Sequence, residues 1–267
     1  MNINKNKNIA LITVIEGNFN NINYNKNQIR LYEFEALKCF RYWRKNAGNL
    51  KDIDIYCICV TNNEPNKKTI EKLKDLKVNY IHEYNSITNS FNNGFWNKPL
   101  GCSILEKKLN YDFFIHIDLD MYIIKELKKN VYCNSCLIYD EIDSMQERQF
   151  INNTYKPFNT CYMTCIKSDQ IFTKWFDILN NTDAFYYKKY YKSITEDKFE
   201  EAAFDLLSYF KVNNIQSVSD VMFGETYTPL KKMKTTNEIS FHHYHLYNKN
   251  IIQTYNYKKY QKQLLKI

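Results

Sequence analysis

At 267 residues, 44% hydrophobic and 16% aromatic, the chain has the means to bury one substantial core, which excludes a disordered polypeptide. Its five Gly and four Pro exclude collagen-like and linker-rich architectures. A formal net charge of +8 suits a phosphate-bearing ligand, a nucleic acid or an anionic membrane without choosing among them, and with both signs interspersed along the chain the plainest reading is a solvated surface.

Ile9–Ile15 is a short β-branched apolar run closed by Glu16-Gly17-Asn18, which predicts a buried first strand and its exit turn. Phe19–Asn27 is polar and is expected as loop. Leu31, Phe34, Leu37, Cys39, Tyr42 and Trp43 then recur at helical spacing. Asp54–Val60 predicts a second strand ending at Thr61-Asn62-Asn63, Lys67–Leu76 an amphipathic helix, and Val78–Ile81 a third strand. Lys98–Leu109 predicts a further helix and Asp112–Ile117, nearly all apolar, a fourth strand. Later segments read as a strand within Tyr155–Ile166, helices over Gln170–Leu179 and Phe199–Phe210, and a last strand over Glu238–His245.

Strands alternating with helices imply an α/β fold with a mainly parallel sheet flanked by helices. The continuous apolar runs fit strands buried on both faces, and such sheets bind ligands at the carboxyl ends of their strands. There are no repeats, and neither GxGxxG nor GxxxxGK[ST] occurs, which counts against dehydrogenases and P-loop ATPases.

No stretch approaches the ~20 apolar residues that span a bilayer, and no secretory signal precedes the eight Cys. The expectation is a cytoplasmic protein with reduced thiols, Cys57 and Cys59 lying in the core. Cys133-x-x-Cys136 has zinc-like spacing but no second matching pair.

The most informative stretch is Phe113-Phe114-Ile115-His116-Ile117-Asp118-Leu119-Asp120-Met121. In extended backbone, side chains two apart share a side, so His116, Asp118 and Asp120 are expected together. Two carboxylates so close repel unless a positive group lies between them. A hard divalent cation fits, because Mg²⁺ and Mn²⁺ take oxygen ligands, and it would hold a diphosphate. The plainer alternative is two Asp facing water at a strand end.

FFIHIDLDM resembles the DxD segment of GT-A glycosyltransferases, whose fold is a Rossmann-like α/β layer. Other segments follow in that family's order. Gly94-Phe95-Trp96-Asn97-Lys98-Pro99-Leu100 resembles the W-x-K entry of some GT-A families, in which Lys98 would reach donor phosphate or sugar; alternatively it is a helix start with Pro99 in the first turn. Pro157-Phe158-Asn159-Thr160-Cys161-Tyr162-Met163, followed by Trp175, is similar to the F-N-[ST/A]-G-Φ-M…W segment of glycosyltransferase family 8 and its relatives, with Cys161 in place of Gly. Phe199-Glu200-Glu201-Ala202-Ala203-Phe204-Asp205 takes the place of the D-Q-D-x-L-N segment. Ala202 departs from it, and an ordinary amphipathic helix is the alternative. Ile239-Ser240-Phe241-His242-His243-Tyr244-His245 holds three of the five His and resembles the family's late metal-binding histidine, His243 ahead of His245.

The resemblance implies a single GT-A domain over residues 1–267: a nucleotide-binding half (about 1–125), an acceptor and sugar half (about 126–250) and a basic aromatic tail (251–267). It implies a nucleoside-diphosphate-sugar donor, most often a UDP-sugar, bound by Thr13, Ile15, Glu16, Lys98, Asp118, Asn159 and Thr160. Asp118, Asp120, His243 and His245 are the implied metal ligands, for Mn²⁺ ahead of Mg²⁺. Glu200, Glu201 and Asp205 are the catalytic candidates, and the acceptor is a glycan, protein or lipid. Retention or inversion stays open, with a lean to retention.

Two Tyr/Lys-rich patches, Phe185–Lys192 and Tyr255–Ile267, read first as a surface loop and a terminal helix. The alternative is contact with an anionic membrane, chiefly through the tail, or with a glycan. The rival functions are a basic nucleic-acid-binding or nucleotidyl-transferring protein and a zinc-organised module built on Cys133, Cys136 and the His cluster. Under the transferase reading no nucleic-acid partner is expected.

Overall fold

Apolar runs of five or six residues cannot expose either face to water, and here they assemble edge to edge with helices on both sides. The computed structural model describes residues 8–17, 19–20, 29–30, 32–85, 96–127, 137–140, 149–150, 158–181, 187, 189–194, 199–209, 216–218, 223–225 and 241–243. In chain order the strands are β1 (Ile9–Val14), β2 (Phe19–Asn20), β3 (Ile29–Arg30), β4 (Asp54–Cys59), β5 (Val78–His82), β6 (Phe113–Ile117), β7 (Met121–Ile123), β8 (Leu137–Asp140), β9 (Gln149–Phe150), β10 (Phe158–Ile166), β11 (Tyr191–Ser193), β12 (Gln216–Val218), β13 (Phe223–Glu225) and β14 (Phe241–His243). The α-helices are α1 (Tyr32–Asn46), α2 (Lys67–Asp75), α3 (Asn97–Lys108), α4 (Ile171–Asn181) and α5 (Phe199–Tyr209).

Seven strands form the main sheet in the order β12-β8-β10-β6-β1-β4-β5. β1 is parallel to β4 and β6, β4 to β5, and β8 to β12, while β10 runs antiparallel to both β6 and β8. The fold is therefore α/β with a mainly parallel mixed sheet. Side chains alternate across it. Leu11, Ile15, Cys57, Cys59, Ile115 and Ile117 enter a core shared with α1 and α2. Ala10, Ile12, Ile58 and Phe114 enter a second core shared with α3, α4 and α5. Trp43, Phe113, Phe114, Trp175 and Phe204 are all under 2% exposed, and each contributes roughly 1.5–3 kcal/mol through burial.

The chain steps outward from β1 to β4 and β5 with α1 and α2 on one face. It then crosses by α3, on the other face, to β6 on the far side of β1. That reversal is a topological switch point at the carboxyl ends of β1 and β6, the place where open α/β sheets bind ligands. Local signals place the helices. Asn66 caps α2 by accepting from the Thr69 N–H at 3.0 Å. The buried Glu106 of α3 accepts from the N–H groups of Phe172 (3.3 Å) and Thr173 (2.8 Å), and so caps α4 from a neighbouring helix.

The polar stretch expected as loop after Gly17 differs in part: Phe19–Asn20 pairs antiparallel with Ile29–Arg30, because ladder hydrogen bonds need backbone and not apolar side chains. Tyr187 and Tyr191 also depart from the expected surface loop. Both are buried, Tyr187 stacked on Phe199 at 4.6 Å. The tail after residue 250 lies outside the described residues. Among the described residues no helix is long and apolar enough to cross a membrane.

Candidate active site

Strand β6 delivers its carboxyl end to the switch point. Extended backbone stops at Ile117: the Asp118 N–H donates to the Cys161 carbonyl of β10 at 2.8 Å, and the Met121 N–H donates back to the Asp118 carbonyl at 3.1 Å. Asp120 thus sits in a turn, which corrects the expectation of one extended segment presenting His116, Asp118 and Asp120 on one side. His116 and Asp118 do meet, Nε2 lying 3.3 Å from Oδ1.

Helix α3 begins at the same edge. Pro99 falls in its first turn, where the missing N–H costs no intrahelical bond. Lys98 precedes it and extends its ammonium to three elements. Nζ lies 3.1 Å from Asp118 Oδ2, 3.0 Å from Thr160 Oγ1 and 3.1 Å from Glu200 Oε1. The Thr160 hydroxyl, accepting from Lys98, donates onward to Glu200. The indole N–H of Trp175 donates to the Glu200 carbonyl at 2.8 Å and pins the start of α5.

Side-chain exposure is 27% for Asp118, 16% for Lys98 and 2% for Glu200, so these charges act through little solvent. Burial would lower the Lys98 ammonium, but Asp118, Glu200 and Glu201 outweigh it and hold it above the ordinary lysine range. Burial pushes the Glu200 carboxyl up to about 7, against the opposing pull of Lys98 and with Glu201 and Asp118 adding to the rise. Three carboxylates around one ammonium leave a local excess of negative charge.

The metal candidates are Asp118, Asp120, His243 and His245. Strand β14 pairs antiparallel with β7, placing His243 in register with Met121, the residue after Asp120. The side chain of His243, and His245 altogether, lie outside the described residues, as do Cys133 and Cys136. Among the described residues no three His, Cys, Asp or Glu groups assemble as a metal site. Carboxylate and imidazole groups, the donor types these residues carry, would suit Mn²⁺.

The other expected residues fall in three groups. Glu16, at the exit of β1, is half-buried and accepts from the Asn97 amide, one residue from Lys98. Thr13 is 1% exposed and donates to the Ile117 carbonyl at 2.8 Å, and Ile15 lies in the α1-side core, so both side chains serve the sheet. Asp205 is fully buried and accepts from the Tyr191 hydroxyl at 3.1 Å, whereas Glu201 is half-buried at the start of α5. Asn159 lies on β10 beside Thr160, its side chain outside the described residues. Cys161 turns into the α1-side core, next to a register shift between Asn159 and Met163, an irregularity that re-aims neighbouring side chains.

Sequence reading left out Cys102, whose Sγ lies 3.4 Å from His116 Nδ1. The signal was present: Lys98 and Cys102 are spaced i, i+4 on one helix face, as His116 and Asp118 are spaced two apart along the chain.

No protein-family model matches the chain, and no curated protein matches it in sequence.

Proposed function

We propose that this chain is a metal-dependent GT-A-type glycosyltransferase that moves a sugar from a nucleoside-diphosphate sugar, a UDP-sugar first, to a hydroxyl of a glycan, protein or lipid acceptor. One observation carries the reading. Lys98, Asp118, Thr160 and Glu200 come from four segments, each singled out by its resemblance to a segment of GT-A families, and they meet within 3.1 Å of a single ammonium. They do so at the switch point of an α/β sheet, where such folds bind ligands.

In this reading the nucleoside lies over the exit of β1 near Glu16, with Asp118 toward the ribose and Lys98 toward the diphosphate. A divalent cation held by Asp118, Asp120 and His243 would supply Lewis-acid stabilisation of the departing diphosphate. Lys98 adds a fixed positive charge where negative charge develops, already oriented by Glu200 and Thr160. The acceptor oxygen forms a bond to the anomeric carbon as the bond to the diphosphate breaks, and the hydroxyl proton passes to a base. Glu200, 2% exposed and committed to Lys98 and Thr160, is an anchor and not that base. Glu201 is the carboxylate with access: a base in an inverting enzyme, or a stabiliser of positive charge on the sugar in a retaining one.

The test is thermal unfolding with a panel of nucleoside diphosphates, with and without Mn²⁺, for wild type and Asp120→Ala. A ligand at a hundredfold excess over its Kd adds about 2.7 kcal/mol, roughly 5 °C or more for a chain of this size. UDP is expected to raise the midpoint only with Mn²⁺, and the rise should vanish in Asp120→Ala. No shift with any nucleoside diphosphate under any metal would remove the reading.

A further inference from the structure

A histidine in a sheet core is costly unless both ring nitrogens find partners, and an aliphatic residue at position 116 would fill the second core at no such cost. His116 is 1% exposed, and its ring meets Phe172 edge-on at 6.1 Å. Nδ1 faces Cys102 Sγ at 3.4 Å and Nε2 faces Asp118 Oδ1 at 3.3 Å. The other oxygen of Asp118 faces Lys98 at 3.1 Å.

We infer that His116, backed by Cys102, is a positioning residue that sets the orientation of the Asp118 carboxylate for the donor. This deepens the donor-site reading above and rests on it. An ionised carboxylate only accepts hydrogen bonds, so the proton of the neutral ring belongs on Nε2. With that proton on Nε2, Nδ1 keeps its lone pair and can only accept. The thiol is therefore the donor to Nδ1. The chain has one polarity, S–H to Nδ1 and then Nε2–H to Oδ1.

The carboxylate torsion of an aspartate is broad and roughly two-fold. With one oxygen held from β6 and the other from α3, Asp118 presents a fixed plane, leaving its remaining lone pairs for a ribose hydroxyl or a cation. Residues that orient a ligating group in this way typically alter affinity 10–100-fold when replaced.

Two measurements test this. In the first, ¹⁵N spectra of histidine-labelled wild type give the ring protonation of His116. A protonated Nε2 with an unprotonated Nδ1 is expected, and the opposite tautomer overturns the inference without help from any variant. In the second, UDP binding with Mn²⁺ is titrated for wild type, His116→Leu and His116→Gln. The Gln amide can still donate to Asp118, so it should stay within about threefold of wild type, whereas Leu should weaken binding about tenfold or more. Equal affinity of Leu and wild type overturns the positioning role and leaves the donor site standing. If Leu does not fold, a Gln variant that folds yet binds more than tenfold weaker overturns it as well. A wild type that binds no nucleoside diphosphate under any metal condition overturns the donor reading, and this inference with it.

Discussion

Lys98 and Glu200 define each other's charge. Glu200 has almost no water, so its ionised form depends on the ammonium 3.1 Å away and on the Thr160 hydroxyl. Its folded-state pKa, raised to about 7 from 4.5 first by burial, makes a signed prediction. Between those values the folded protein holds a proton that the unfolded chain has released, so this residue's contribution is fully present below about 4.5 and is lost as pH rises through about 7. Glu200→Gln cannot titrate. Wild-type stability measured relative to that variant by urea unfolding should therefore fall as pH climbs through this window and level off above it. A difference that stays constant across the window, or rises, would mean that Lys98 keeps Glu200 ionised throughout.

At the scale of elements, the reach of Lys98 depends on how closely α3 lies against the sheet. Gly101, one turn along, permits that approach. A Cβ there would stand 2.5 Å from Val14 Cγ2 and 2.9 Å from Ile58 Cγ2, and both neighbours are β-branched and stiff. Gly101→Ala gains up to about 1 kcal/mol of helix propensity, but overpacking costs about 1–3 kcal/mol, so a net loss of about 1 kcal/mol is expected in denaturant unfolding. The variant should also show a smaller nucleotide-induced midpoint shift, since α3 must move and carry Lys98 with it. Much of this architecture was legible beforehand. The runs of β1, β4 and β6 are nearly all apolar, and the helices over 67–75, 97–108 and 171–181 begin and end within two residues of their periodic signals. The short strands β7 and β8 were not legible, because three or four residues carry too little periodicity and owe their form to neighbours: β7 to β14, and β8 to β10 and β12. The antiparallel direction of β10 was equally hidden, since an apolar run does not record which way it points.

Across the whole molecule, the sheet separates two kinds of polar work by edge. At the carboxyl edge lie Glu16, Lys98, Asp118, Thr160 and Glu200, gathered from segments more than 180 residues apart in the numbering. The segments that carry Lys98, Asp118, Thr160 and Glu200 stood out in the sequence, but the meeting of these side chains on one ammonium did not, because distance across a fold is set by topology. Likewise, the link from Cys102 to Asp118 is invisible until α3 is laid on β6. At the amino edge a separate network joins Tyr111 to Asp54 at 2.6 Å and to Tyr56 at 2.9 Å. It ties the start of β4 to the residues just before β6, on the side of the sheet away from the switch point. Tyr111→Phe removes both hydrogen bonds while keeping the ring that packs edge-on against Tyr56 and Phe114. Because these groups are partly exposed and water replaces what is lost, the cost should be about 1 kcal/mol. If ligand binding belongs to the carboxyl edge alone, the variant's melting midpoint should drop while the Mn²⁺-dependent increment from UDP keeps its wild-type size, sites this far apart being additive. An increment that shrinks along with the midpoint would show that the two edges are coupled through the sheet, so that the proposed donor site draws on the stability of the whole layer and not on the carboxyl ends of β1 and β6 alone.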